Sequence, residues 1–173
     1  MYTMKKAFHY DFLPTKAVEE AAAARGIPYQ VARTLVEIRD SGPPPKMDPS
    51  NPWQIRKCIT KGEVINGKLM LPHQITFEYV FRFWGMDICN HVIAGHKSYV
   101  VIFDYTDEDV PKRFQSENIF LEGGPNDTYF LGWMDVVRSR VVSPGDEVGL
   151  FWERNTGIFG LKLLRKGNPV QVD

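Results

Sequence analysis

The chain has 173 residues, 43% of them hydrophobic and 13% aromatic, enough for one ordinary domain with a buried core plus an accessory segment. Its 21 basic and 21 acidic side chains cancel. That excludes a protein coating nucleic acid through a broad basic excess, but it leaves room for a local basic edge. No run approaches the ~20 apolar residues that span a bilayer. The opening MYTMKKAFHYDF lacks the apolar core of a secretion signal, so an intracellular protein is expected. Cys58 and Cys89 are then expected to be reduced and mostly buried thiols.

Residues 15–40 read as helical. Thr15 suits an N-cap, Val18, Ala21 and Ala22 follow at helical spacing, and Gly26 suits a terminator. Pro28 suits the first turn of a second helix, with Val31, Ala32, Leu35 and Ile38 as its apolar stripe. SGPPPKMDPSNP at 41–52 holds too much proline for regular structure and reads as a semi-rigid linker. After Trp53 the pattern turns strand-rich. WQIRKCIT, KLMLP, SYVVIFDY, VPKRFQSE, DTYFLG, EVGLFWER and GIFGLKLLR are the candidate strands. Residues 73–84, closed by Gly85, and WMDVVRSRVV are the candidate helices. The NIFLEGGPN stretch is read as a loop, and Asn155-Thr156-Gly157 as a hairpin turn. Seven short strands and two helices at this spacing suit a small antiparallel barrel.

Lys57, Ile59, Thr60 and Val64, then Lys68 to Pro72, and later Gly132-Trp133 and Gly145-Asp146 fall in an order that resembles the plant B3 DNA-binding superfamily. The opening terms are Lys57, Ile59, Thr60, Val64, Lys68, Leu69, Leu71 and Pro72. The closing terms are Gly132-Trp133, Val136-Val137, Gly145-Asp146-Glu147-Val148 and Leu150-Phe151-Trp152. Each term alone is unspecific; the ordered combination carries the resemblance. LMLP and GDEVGL look most like the reproductive-type, less characterised branch. The resemblance implies a mainly β fold, a seven-stranded open barrel with two short helices, here preceded by the helical segment. The organisation expected is a helical segment at 1–40, a linker at 41–52, the B3-like domain at 53–166 and a tail at 167–173.

In that family two loops grip the DNA major groove like the jaws of a wrench. By position the first arm is Thr60 to Lys68 and the second about Ile119 to Thr128. Arg56, Lys57, Lys61 and Lys68 face a single acid, Glu63, between residues 54 and 68. They suit phosphate and base-edge contact, or else they are lysines and an arginine on a solvated strand edge. Asn66 and Gly67 suit the arm's tip, with Thr60 at its base. An Asn amide can read adenine, and Gly permits close backbone approach. Gly62-Glu63 stand where the family commonly has Ser-Asp, and His73 where it has Lys.

The second arm has no basic residue and carries Glu122 and Asp127. Its candidate contacts are Asn126 and the backbone N–H groups of Gly123 and Gly124. Arg138 and Arg140, near Lys112 and Arg113, either touch phosphate or balance Asp104, Asp107, Glu108 and Asp109. Trp133, Trp84 and Trp152 are read as core. Cys89, His91 and His96 match no standard zinc spacing, and no phosphate loop, nucleophile elbow or HExxH helix is present.

The expectation is therefore a nuclear, sequence-specific binder of double-stranded DNA that regulates transcription, not an enzyme, with no cofactor, no metal and no membrane partner. The N-terminal helices would serve a protein partner or self-association. The rival expectation is a B3-like protein-interaction module with weak or lost DNA binding.

Overall fold

The structure is a computed structural model that describes residues 5–10, 16–26, 33–38 and 45–167. Strand β1 (Lys5–Tyr10) pairs antiparallel with β2 (Arg33–Ile38), and helix α1 (Lys16–Ala24) lies between them in sequence. The second expected helix is thus corrected: residues 33–38 are a strand. RTLVEI is a short run rich in β-branched and apolar residues, too short for its periodicity to separate helix from strand. Pairing with a distant segment decides it. The N-cap expected at Thr15, Pro28 and the proline-dense residues 41–44 lie outside the described residues.

From Trp53 on, the chain forms two sheets. Strands β3 (Ile55–Cys58), β10 (Glu147–Glu153), β11 (Ile158–Arg165), β6 (Ile102–Asp104) and β7 (Lys112–Phe114) follow one another in the first. Strands β4 (Lys68–Pro72), β9 (Thr128–Gly132), β8 (Phe120–Gly123) and β5 (Ser98–Tyr99) form the second. The sheets stay unjoined by ladder hydrogen bonds, so the barrel is open. All pairings in them are antiparallel except β11 with β6. These strands outnumber the expected seven for two reasons. SYVVIFDY breaks at Val100-Val101 into β5 and β6, and part of the expected NIFLEGGPN loop is β8.

Helix α2 (Lys61–Asn66) joins β3 to β4. Residues 73–84 divide into α3 (His73–Tyr79) and a 3-10 turn (Phe81–Phe83). Gly85 ends that segment and begins helix α4 (Met86–Ile93), an addition to the two helices expected. Helix α5 (Met134–Ser139) follows Trp133. Strand β2 lies beside α4, and β1 beside the 3-10 turn.

In the second sheet β4 alternates with a period of two, whereas β8 buries the consecutive Phe120 and Leu121. Leu69, Leu71, Leu121, Tyr129 and Leu131 point inward and are buried. Opposite them the first sheet contributes Ile102, Val148, Leu150, Phe159 and Leu161. Trp133 is fully buried, and Trp84 meets Trp152 edge-on at 5.2 Å. All three tryptophans thus pack as expected, Trp152 partly exposed. Cys89 is buried, but Cys58 is exposed, correcting the expectation of two buried thiols. It shares the outward phase of β3 with Arg56, two residues before it. No described helix is long and apolar enough to cross a membrane.

Candidate nucleic-acid interface

The first arm is a built object rather than the loop expected. Thr60 caps α2: its hydroxyl accepts from the Glu63 N–H at 3.3 Å, and the Glu63 carboxylate accepts from the Thr60 N–H at 3.0 Å. This reciprocal pair is a capping box, and it stabilises a helix too short to stand alone. The same carboxylate accepts the Met70 N–H at 2.9 Å and pairs with Lys57 Nζ at 3.1 Å. The Glu63 carbonyl accepts from the Trp133 indole N–H at 3.1 Å. One buried acid therefore ties α2 to β3, β4 and the start of α5.

Gly67 closes the helix in the left-handed region, at φ 65°. Its carbonyl accepts the Trp133 N–H at 2.9 Å. A β-carbon there would lie 2.7 Å from the Met134 side chain. Gly67 is buried, so it is needed for this packing, which corrects its expected place at a DNA-facing tip. The Lys57 side chain is only 17% exposed and is held by Glu63. The outer face of α2 presents Lys61, Gly62, Ile65 and Asn66 to solvent, and Lys61 makes no ion pair among the described residues. Arg56 is exposed, donating to Asn51 Oδ1 at 3.1 Å and lying 3.6 Å from Glu147. Such surface contacts are weak and exchange readily with a phosphate.

The second arm is smaller than expected. Residues 120–123 belong to β8, leaving Gly124-Pro125-Asn126-Asp127 as the turn. Gly124 donates its N–H to the Thr128 carbonyl at 2.8 Å, and the Thr128 hydroxyl donates to the Pro125 carbonyl at 2.6 Å. Asn126 and Asp127 both adopt positive φ, 56° and 58°, which Asn and Asp tolerate better than most residues. Of the two expected backbone donors, the Gly124 N–H is taken by the Thr128 carbonyl; Gly123 stands in β8, where a β-carbon would meet the Val92 carbonyl of α4 at 2.4 Å. Asn126 remains, exposed at the tip.

The arms stand at opposite ends of one ladder. Lys68 at the start of β4 is in register with Gly132, and Pro72 at its end with Thr128. Between them the outward residues of β4, β9 and β8 form a face holding Lys68, Met70, Phe130 and Glu122. Lys68 reaches Glu122 Oε1 at 2.6 Å. Its ammonium also lies 5.7 Å from the Phe120 ring centre and 6.0 Å from that of Phe130. Lys97 sits over Phe120 at 4.2 Å. These are favourable cation–ring distances. His73, in the position where the family has Lys, packs against Phe77 and Tyr129 instead of projecting freely.

Away from the arms, Arg140 donates through Nε to fully buried Asp104. It therefore balances that acid, the second of its two expected roles. Arg138 is exposed and makes no ion pair among the described residues. Asp146, in the Gly-Asp term, is buried and accepts from the Ser143 and Gly167 N–H groups and from Lys166 Nζ. Burial works to raise its pKa; those donors outweigh it and hold the carboxyl below its usual value. His91 and His96 stack at 4.7 Å on the surface, and among the described residues no three metal-ligating side chains cluster.

Residues 53–164 match the family described as B3 domain-containing protein At5g26805, C-terminal domain. Among curated Arabidopsis thaliana proteins, the chain is 26% identical over 106 residues to one described as B3 domain-containing, At1g51970, covering 61% of this chain and 82% of that protein. It is 26% identical over 109 residues to the B3 domain-containing protein At1g10455, covering 61% of this chain and 66% of that one. A solved Arabidopsis FUS3–DNA complex overlaps at a TM-score of 0.46 and 12% identity, covering 66% of this chain and 98% of that chain. With a match over residues 53–164, preserving the ordered terms from Lys57 to Trp152, the chain belongs to the B3 domain-containing family.

Proposed function

We propose that the domain binds double-stranded DNA with sequence preference, seating α2 and the 124–127 turn in one major groove, and that it regulates transcription in the nucleus. The observation that carries this reading is the spacing of the arms. They bracket a five-residue ladder, about 13 Å at the rise of a β-strand, and the major groove is about 12 Å wide. Lys61, with no ion-pair partner among the described residues, supplies a charge for phosphate. Asn66 and Asn126 are exposed amides of the type that pairs with adenine. Arg56 and Arg138 are further positive groups with freedom to move. Random-site selection followed by gel shift at low salt tests the proposal. A recovered motif, with affinity lost in Lys61→Ala and Asn66→Ala, supports it. No enriched motif and no loss in either variant overturns it.

A second reading, a protein-interaction module, is favoured by one specific observation: Lys57, Lys68 and Arg140 are each matched by an internal acid. It predicts that full-length protein retains a partner when Lys61 and Asn66 are both replaced by alanine.

A further inference from the structure

Glu122, on β8, sits where it competes with DNA for Lys68, at the start of β4. We infer that Glu122 sets the affinity and salt response of the DNA face by holding Lys68 in an internal ion pair that phosphate must displace. The inference rests on the DNA-binding reading above and specifies how that face is tuned.

Lys68 lies on β4 and Glu122 on β8, with β9 between them. Opposite Lys68 in the ladder stands Gly132. A β-carbon at Gly132 would meet the Phe120 ring and the Asn118 carbonyl, each at 2.6 Å, so the Phe120 ring packs close over that glycine. The Lys68 ammonium lies 5.7 Å from the Phe120 ring centre and 6.0 Å from that of Phe130, and ends on Glu122 at 2.6 Å. The lysine side chain is 40% exposed and the glutamate 13%. Lys68 can therefore swing outward, whereas Glu122 stays behind on the sheet.

That asymmetry gives the pair its consequence. When Lys68 turns to a phosphate, the Glu122 carboxylate loses its partner while facing an anion. A charged group left unpaired at a partly desolvated site is costly. The net gain from the Lys68 contact is then small, and Lys61, which has no acid partner among the described residues, carries more of the affinity. Removing the Glu122 charge alone frees Lys68 for phosphate and adds one effective contact.

The test compares wild type, Lys61→Ala, Lys68→Ala, Glu122→Gln and the double variant Lys68→Ala/Glu122→Gln of the full chain. The probe is a fluorescent duplex recovered by random-site selection with the wild-type protein. Glu122→Gln is expected to bind more tightly than wild type, with the log K against log salt slope steeper by about 0.9. Its advantage should therefore shrink roughly threefold between 50 and 200 mM salt. In the Lys68→Ala background the same change should give a smaller gain. Lys68→Ala alone should lose less affinity than Lys61→Ala, a comparison that does not depend on the Glu122 variant folding. Equal gains in both backgrounds would mean simple repulsion by Glu122 and overturn the inference. So would an absent gain, or a Lys68→Ala loss as large as that of Lys61→Ala. If no form binds any duplex, the DNA-binding reading itself fails, a separate outcome from wild type binding normally and Glu122→Gln showing no gain.

Discussion

The two arms are stabilised in opposite ways. The first, α2, is anchored from a distance: its one buried acid reaches a cap, two strands and, through its carbonyl, the indole of Trp133 seventy positions on. In the second, the 124–127 turn, Gly124 and Pro125 are hydrogen-bonded to nearby Thr128, and two residues hold positive φ. The first arm should therefore melt with the domain, while the second can be altered locally. Under the proposed function, this means one fixed edge and one edge whose chemistry can vary at low cost.

The largest effect expected from breaking this contrast is at Glu63. Glu63→Ala removes the cap partner of Thr60, the acceptor for Met70 and the counter-ion of Lys57 together. Breaking a buried pair of this kind costs about 3–5 kcal/mol, and urea denaturation should show it as a large fall in midpoint. Gly67→Ala comes next. It forces a β-carbon onto Met134 and a side chain into the left-handed region, and should cost about 1–3 kcal/mol in the same assay. In the second arm, Asn126→Ala puts a less tolerant residue at positive φ and should cost only about 1 kcal/mol, with the rest of the domain unperturbed in amide exchange. A change at Asn126 as damaging as one at Glu63 would erase the difference between the arms.

The smallest effect is a pH dependence at Asp146, whose carbonyl accepts the Ile59 N–H at 2.8 Å beside the base of the first arm. The folded pKa of Asp146 lies below its unfolded value. Its stabilisation is therefore present above the ordinary aspartate value, about 3.9, and is lost as the pH falls below that toward the folded value. Asp146→Asn should be less stable than wild type at neutral pH, and the gap between them should narrow on acidification, as followed by circular dichroism melts.

Much of the fold was legible in the sequence because it is written in short-range patterns. KLMLP, DTYFLG, EVGLFWER and GIFGLKLLR alternate or run apolar between turn residues, and all four segments contain strands. Thr60-x-x-Glu63 has capping-box spacing, so a helix in place of the first loop could have been read there. What was not legible depended on distant pairing. RTLVEI becomes a strand through residues 5–10, and FLEG through β9 and β5. The site followed the same rule. Exposure at Lys61 and Asn66 followed from their local positions, whereas Lys57 and Arg140 looked equally available until Glu63 and Asp104 were placed beside them. The Lys68–Glu122 pair spans 54 positions, and no spacing rule announces it.

The most direct test of the central claim is duplex binding by the full chain across a salt series, wild type against Lys61→Ala. The expected result is a sequence-preferring interaction whose log K falls with log salt. Binding should be weaker in the variant, and its slope shallower by about 0.9, the share of a single neutralised phosphate. Identical affinities and slopes for the two proteins would contradict the claim, because α2 would then contribute no charge to the groove.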